Sequence, residues 1–176
     1  MHGVRLSSCD YNFSVKNMND LLTVRGHHLF CLLEAICDIE LKTRLFTSHV
    51  TLNKIAKRIR NTPDIPVRIV AGPDDICLPC EWWDADKGYC IKNLDAQPKL
   101  RNIRMQMDRD AISNLRMKED AILPAAELFQ EIKSRITKKI ITESICSLCP
   151  DVVVCCELYD EKIEAVIESL CETLEK

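Results

Sequence analysis

Two short segments limit what this chain can become. DDICLPCEWWDADKGYC (74–90) separates Cys77 and Cys80 by two residues, with Cys90 after nine more. SICSLCPDVVVCC (144–156) repeats the form with Cys146 and Cys149, then Cys155 and the adjacent Cys156. A C-x-x-C pair lets two thiolates converge on one metal from a tight turn, with backbone N–H groups free to hydrogen-bond the sulfurs. Two such triplets make metal the leading expectation, and the fold has to present both loops.

The rest of the composition sharpens that reading. Eleven cysteines among 176 residues is an odd count, below the density of a small disulfide scaffold. No apolar run approaches the roughly 20 residues of a bilayer span, and the first twenty residues contain no continuous apolar stretch of a signal peptide. We therefore expect a cytoplasmic protein, where thiols stay reduced, with no membrane association. A net charge of −3 removes any global attraction to nucleic acid.

Residues 1–20 are polar and mixed, and read as an N-terminal extension; residues 21–176 read as a single cysteine-rich metal-binding domain. LLTVRG (21–26) and VRIVAG (67–72) are strand signals, and HHLFCLLEAIC (27–37) is a buried helix. Thr47 or Ser48 is placed to cap a helix whose core stripe is Leu52, Ile55, Ala56 and Ile59. A loop from Gly72 to about Pro98 precedes helices over 99–118 and from Pro124 to about Arg135; Thr137–Ile145 continues the latter or forms its own. The last segment aligns Tyr159, Ile163, Val166, Leu170 and Leu174 on one helix face. The expected fold is α+β, mostly α, with helices packed around a small two-stranded, parallel sheet and two cysteine-rich metal-binding loops.

The metal is open at this level. The two C-x-x-C pairs together would make one closed four-thiolate zinc site, leaving Cys90 and Cys155 unexplained. An iron–sulfur cluster accepts three cysteines plus a ligand from elsewhere, and spacing favours it. Trp82 and Trp83, the chain's only tryptophans, follow Cys80 either as apolar cover for a cluster or as ordinary packing. A thioredoxin-type dithiol fits less well, since the third cysteines are surplus to it. Asp74 and Asp75 suit a turn and cap after the strand, or an acid–base pair.

RGHHLFCLL (25–33) adds two histidines and a cysteine. His27 and His28 fall four and three residues before Cys31, so either can share its helix face. If the strands are parallel neighbours, Cys31 and Cys77 meet at one sheet edge. A lone helical cysteine is also a small hydrophobe, the reading given to Cys37 and Cys171; Cys9 receives no role.

An HH-x-x-C helix start, a strand running into DDIC-x-x-C, and a later IC-x-x-C loop together resemble the prokaryotic family called domain of unknown function 1284. The correspondence runs from about Val24 to Cys155. The resemblance implies iron–sulfur binding, [4Fe-4S] in type, with the family's cysteines falling on Cys31, Cys77, Cys80, Cys90, Cys146, Cys149 and Cys155 and His27 and His28 as the paired histidines; the first four would hold one cluster, and the second triplet, with His27 or His28, another centre. It implies no reaction. Cys156 competes with Cys155, because the gap PDVVV is shorter than the family's.

Two functions follow as expectations. One is an iron–sulfur protein that transfers electrons to a redox partner protein, or acts on a small-molecule substrate. The other is a zinc-stabilised binding module without catalysis. Its helices carry Lys54, Lys57, Arg58, Arg60, Arg101, Arg104 and Arg109, but Asp108, Asp110 and Glu119 dilute that face and argue against nucleic acid.

Overall fold

The computed structural model describes residues 20–41, 49–92, 99–147, 149 and 166–167. Expectations for the extension before Asp20, Thr47, Ser48, Cys9, Cys155, Cys156 and Cys171 lie outside these residues. So does the terminal stripe, except that Val166 is helical and buried beside Ile167.

The first strand, β1 (Leu22–Arg25), turns through Gly26 and His27 into α1 (His28–Leu41). Leu29, Leu32, Leu33 and Ile36 make α1 a core helix, with Cys37 fully buried among them as expected. The next helix, α2 (Val50–Asn61), buries Leu52, Ile55, Ala56 and Ile59, the stripe read from its spacing. Its N-cap is His49, whose side chain accepts a hydrogen bond from the Leu52 N–H.

Strand β2 (Pro66–Val70) returns beside β1 in parallel, pairing Leu22 with Val67 and Val24 with Ile69. The expected parallel pair is present, but the sheet is not two-stranded. A third strand, β5 (Ile122–Pro124), joins the far side of β2 antiparallel, giving the order β1-β2-β5. Three residues ending in proline carry almost no strand signal; tertiary pairing with Val67 and Arg68 makes the strand.

Between β2 and β5 the expected loop contains its own small sheet, the hairpin β3 (Trp83–Asp84) and β4 (Tyr89–Cys90). Gly88 takes φ +67° in its turn, a left-handed conformation that favours glycine, and the Asp84 side chain accepts from Lys87 N–H. Helix α3 (Leu100–Asn114) follows, and α4 (Ala125–Arg135) buries Leu128, Phe129 and Ile132. Thr137 caps α5 (Lys138–Ile140), which widens into a π-helical turn over Ile141–Ile145 and delivers Cys146 to the core.

The loop after β2 does not leave the sheet. It runs back along the outer edge of β1, where Thr23 N–H donates to Asp75 Oδ2 at 2.8 Å and Arg25 N–H to Asp74 Oδ2 at 2.9 Å. Asp75 N–H returns a bond to Thr23 carbonyl at 3.1 Å. The two aspartates thus stand in for a strand, answering N–H groups that β2 cannot reach.

Candidate metal centre

The cysteine loop is fixed by one carboxylate. Asp74 is buried, and its Oδ1 accepts from the N–H groups of Ile76 at 3.1 Å and Cys77 at 2.9 Å. This is the turn expected for the aspartate pair. Its other oxygen takes Arg25 N–H and lies 2.8 Å from His28 Nδ1. Burial opposes the charge of Asp74, but His28 and the Arg25 N–H outweigh it, so its pKa lies well below the ordinary carboxylate range.

The C-x-x-C pair then closes as a tight turn, with Cys80 N–H donating to Cys77 carbonyl at 2.9 Å. Trp83 N–H bonds Cys80 carbonyl and the hairpin sets Cys90 opposite Trp83, which brings the third cysteine back toward the pair. Cys77, Cys80 and Cys90 are unbridged thiols. The second pair uses the same local geometry, Cys149 N–H to Cys146 carbonyl at 2.8 Å, but Cys146 is buried in the hydrophobic core and Cys149 packs against it.

Among the described residues, one set of possible ligand atoms converges within 4.8 Å: His28, Asp74 and Cys77. Two of these come from the expected set; Cys31, Cys80, Cys90, Cys146, Cys149 and His27 are not members. Cys31 sits one turn after His28, half-buried against the core.

A second histidine–carboxylate pair stands behind the first. His27 Nδ1 lies 2.7 Å from Asp108 Oδ1, and the two imidazole rings meet edge to face with centroids 4.6 Å apart. Asp108 also takes Arg25 through Nε at 3.0 Å and Nη2 at 2.7 Å. Burial opposes the charge on Arg25, and the hydrogen bonds and charge of Asp108 overcome it, raising the guanidinium pKa. Burial dominates at His27 and pulls its pKa down to about 4, so this imidazole is neutral at pH 7. Arg25 Nη1 reaches to 3.7 Å from Cys77 Sγ. Burial, and next the Asp74 charge, still push the Cys77 thiol up to about 12 when no cation is bound.

One face of α3 holds both halves together. Asp108 clamps Arg25 and His27, while Arg104, four residues earlier, donates to the carbonyls of Cys90 at 3.0 Å and Lys92 at 2.7 Å. The approach is close because residue 26 is glycine: a Cβ there would collide with Asp108 carbonyl and lie 2.9 Å from Asp108 Cα.

Sequence reading missed Arg25, His49 and Asp108. It placed Asp108 on a solvated helix face, and the structure corrects this, since Asp108 is fully buried. A signal existed: Met107, Ala111, Ile112 and Leu115 are buried at helical spacing, and Asp108 falls within that stripe. His49 was masked by better capping residues beside it. Arg25 had no signal beyond its place at the end of the strand.

Chemically, Asp74 accepts four hydrogen bonds and acts as the partner that orients His28. A histidine that donates Nδ1–H to a carboxylate keeps Nε2 for a metal. With Cys77 beside it and Cys80 on the same turn, the donor set is nitrogen and thiolate, which suits zinc or iron.

Fold and centre together define an α+β protein in which a cysteine loop is docked on a histidine-bearing helix start. A family model described as "Protein of unknown function (DUF1284)" matches residues 43–155, well over half of the chain, and the chain belongs to that family. The matched segment holds His49, Asp74, Cys77, Cys80, Cys90 and Asp108. It begins after Arg25, His27, His28 and Cys31, so the match is narrower than the resemblance read from Val24, and His28 stands beside Cys77 on geometry alone. No curated protein and no solved structure matches the chain. No helix among the described residues is long and apolar enough to cross a membrane.

Proposed function

We propose that this chain is a metal-binding protein whose centre forms where the Cys77–Cys90 loop meets the start of α1. The observation that carries this is the convergence of His28, Asp74 and Cys77 within 4.8 Å. A buried carboxylate that orients an imidazole beside a thiol offers nitrogen and sulfur donors to a cation. In this reading Cys77, Cys80 and His28 bind a mononuclear zinc or iron ion, and Asp74 holds the imidazole. A thiolate-bound ion is most at home in a reducing compartment, which keeps the cytoplasm as the proposed location.

A second reading is an iron–sulfur cluster, [4Fe-4S] in type, held by Cys77, Cys80 and Cys90 with Cys31 as the fourth ligand. The hairpin that returns Cys90 toward the C-x-x-C turn favours it. Cys146, Cys149 and Cys155 would then serve a separate centre, and the protein would pass electrons to a partner or act on a small substrate.

Anaerobic purification followed by a visible spectrum and assays of iron, acid-labile sulfide and zinc separates the two. Colourless protein with one zinc or iron and no sulfide supports the mononuclear centre. Brown protein with sulfide equal to iron supports the cluster. Protein that holds neither after reconstitution with each ends the metal reading.

A further inference from the structure

We propose that His49 is a positioning residue of this centre, donating its Nε2–H to the Cys80 sulfur from a tautomer fixed by helix capping. The inference rests on the metal-binding reading above and concerns how the thiolates are held.

His49 is a histidine where serine, threonine, aspartate or asparagine is usual. Its Nδ1 accepts the Leu52 N–H at 3.3 Å, and its Nε2 lies 4.0 Å from Cys80 Sγ. A neutral imidazole that accepts at Nδ1 carries its proton on Nε2. The nitrogen facing Cys80 is therefore a donor and not a ligand. A capping serine could answer Leu52 equally well, but it could not span from the helix start to the cysteine loop.

Cys77 has the equivalent arrangement, with Arg25 Nη1 at 3.7 Å. Each sulfur of the C-x-x-C turn thus meets one nitrogen donor from outside its loop, one from the end of β1 and one from the start of α2. Such donors draw charge from a coordinated thiolate, fix its direction and tune the metal. They also tie the entry of α2 to ligand geometry at Cys80.

Cobalt(II) is the probe, because its thiolate-to-metal absorption reports sulfur donation directly. His49→Ser keeps a capping oxygen and removes the reach to Cys80. His49→Gln keeps an acceptor and an N–H donor on one planar group. We expect the serine variant to bind cobalt(II) about tenfold more weakly, with the charge-transfer band at lower energy and an unchanged thermal midpoint in the metal-free protein. The glutamine variant recovers both affinity and band position. Unchanged affinity and spectrum in the serine variant overturn the proposal, as does a glutamine variant no better than serine. Wild-type protein that takes up neither cobalt(II) nor zinc overturns the mononuclear reading itself, and this inference with it.

Discussion

The two histidine–carboxylate pairs are adjacent in sequence and alike in local geometry, yet they do opposite work. His27–Asp108 is closed: Arg25 supplies the balancing charge, α3 covers it, and the imidazole is held neutral by burial. His28–Asp74 is open, with Cys77 beside it and a partly exposed imidazole. The difference lies in the second partner of each carboxylate. Asp108 directs its remaining capacity to a side-chain cation, whereas Asp74 directs its own to backbone N–H groups. The same short motif can therefore brace a fold or form a site, depending on what balances the acid.

Substitutions test that division, and the largest effect is expected at the closed pair. Asp108→Asn leaves Arg25 buried without its counter-charge and should cost about 3–5 kcal/mol, read as a lowered urea midpoint. Gly26→Ala, which forces a Cβ into α3 backbone, should cost about 1–3 kcal/mol in the same measurement. A midpoint unchanged in either variant would break the picture of α3 as a clamp.

Exchange of roles is the sharper test. His27→Ala should lower stability by about 1–3 kcal/mol while the zinc stoichiometry stays the same. His28→Ala should instead weaken zinc binding by more than about tenfold, with little change in the midpoint of the metal-free protein. The reverse pattern would exchange the assignments.

The smallest expected effect is in the pH profile of the metal-free protein. Folded His27 titrates near 4 against an ordinary 6.5, so between those values the unfolded chain binds the extra proton and stability falls as pH drops. Folded Cys77 keeps its proton to about 12 against an ordinary 9.0, so stability falls again as pH rises above 9. The urea midpoint should therefore be highest between 6.5 and 9. An acid slope that survives intact in His27→Ala would remove His27 as its source.

What the sequence revealed follows from the range of each interaction. The α2 stripe, the buried α1 and the parallel pairing of β1 with β2 come from periodicity and local propensity, and they were legible. So was the C-x-x-C turn, which is set by a few neighbouring residues. Strand β5 was not, because its identity depends on Val67 and Arg68, more than fifty residues away. The paired histidines draw attention to His28, which the structure sets beside Cys77, whereas the pattern at Asp74 signals a turn and cap or an acid–base pair. Asp74 is a turn residue that also orients His28, and a turn signal says nothing about the spare oxygen. Arg25 and His49 meet Asp108, Cys77 and Cys80 across long stretches of chain, and such contacts leave no pattern in a sequence.

The aspartates along β1 have a consequence for how the molecule behaves in a crowd. A bare outer strand invites another chain to pair with it, which is a common start to aggregation. Here the edge positions are taken by carboxylates, and an arriving strand would have to displace them and set its own carbonyls against their charge. At the opposite side β5 is three residues long and ends in a proline that has no N–H to offer. The sheet is thus terminated at both margins by side-chain chemistry, and on one of them the terminating residue also orients His28. Loosening Asp74 would unmask the margin and disturb the centre together, so misassembly and loss of metal should appear as one defect.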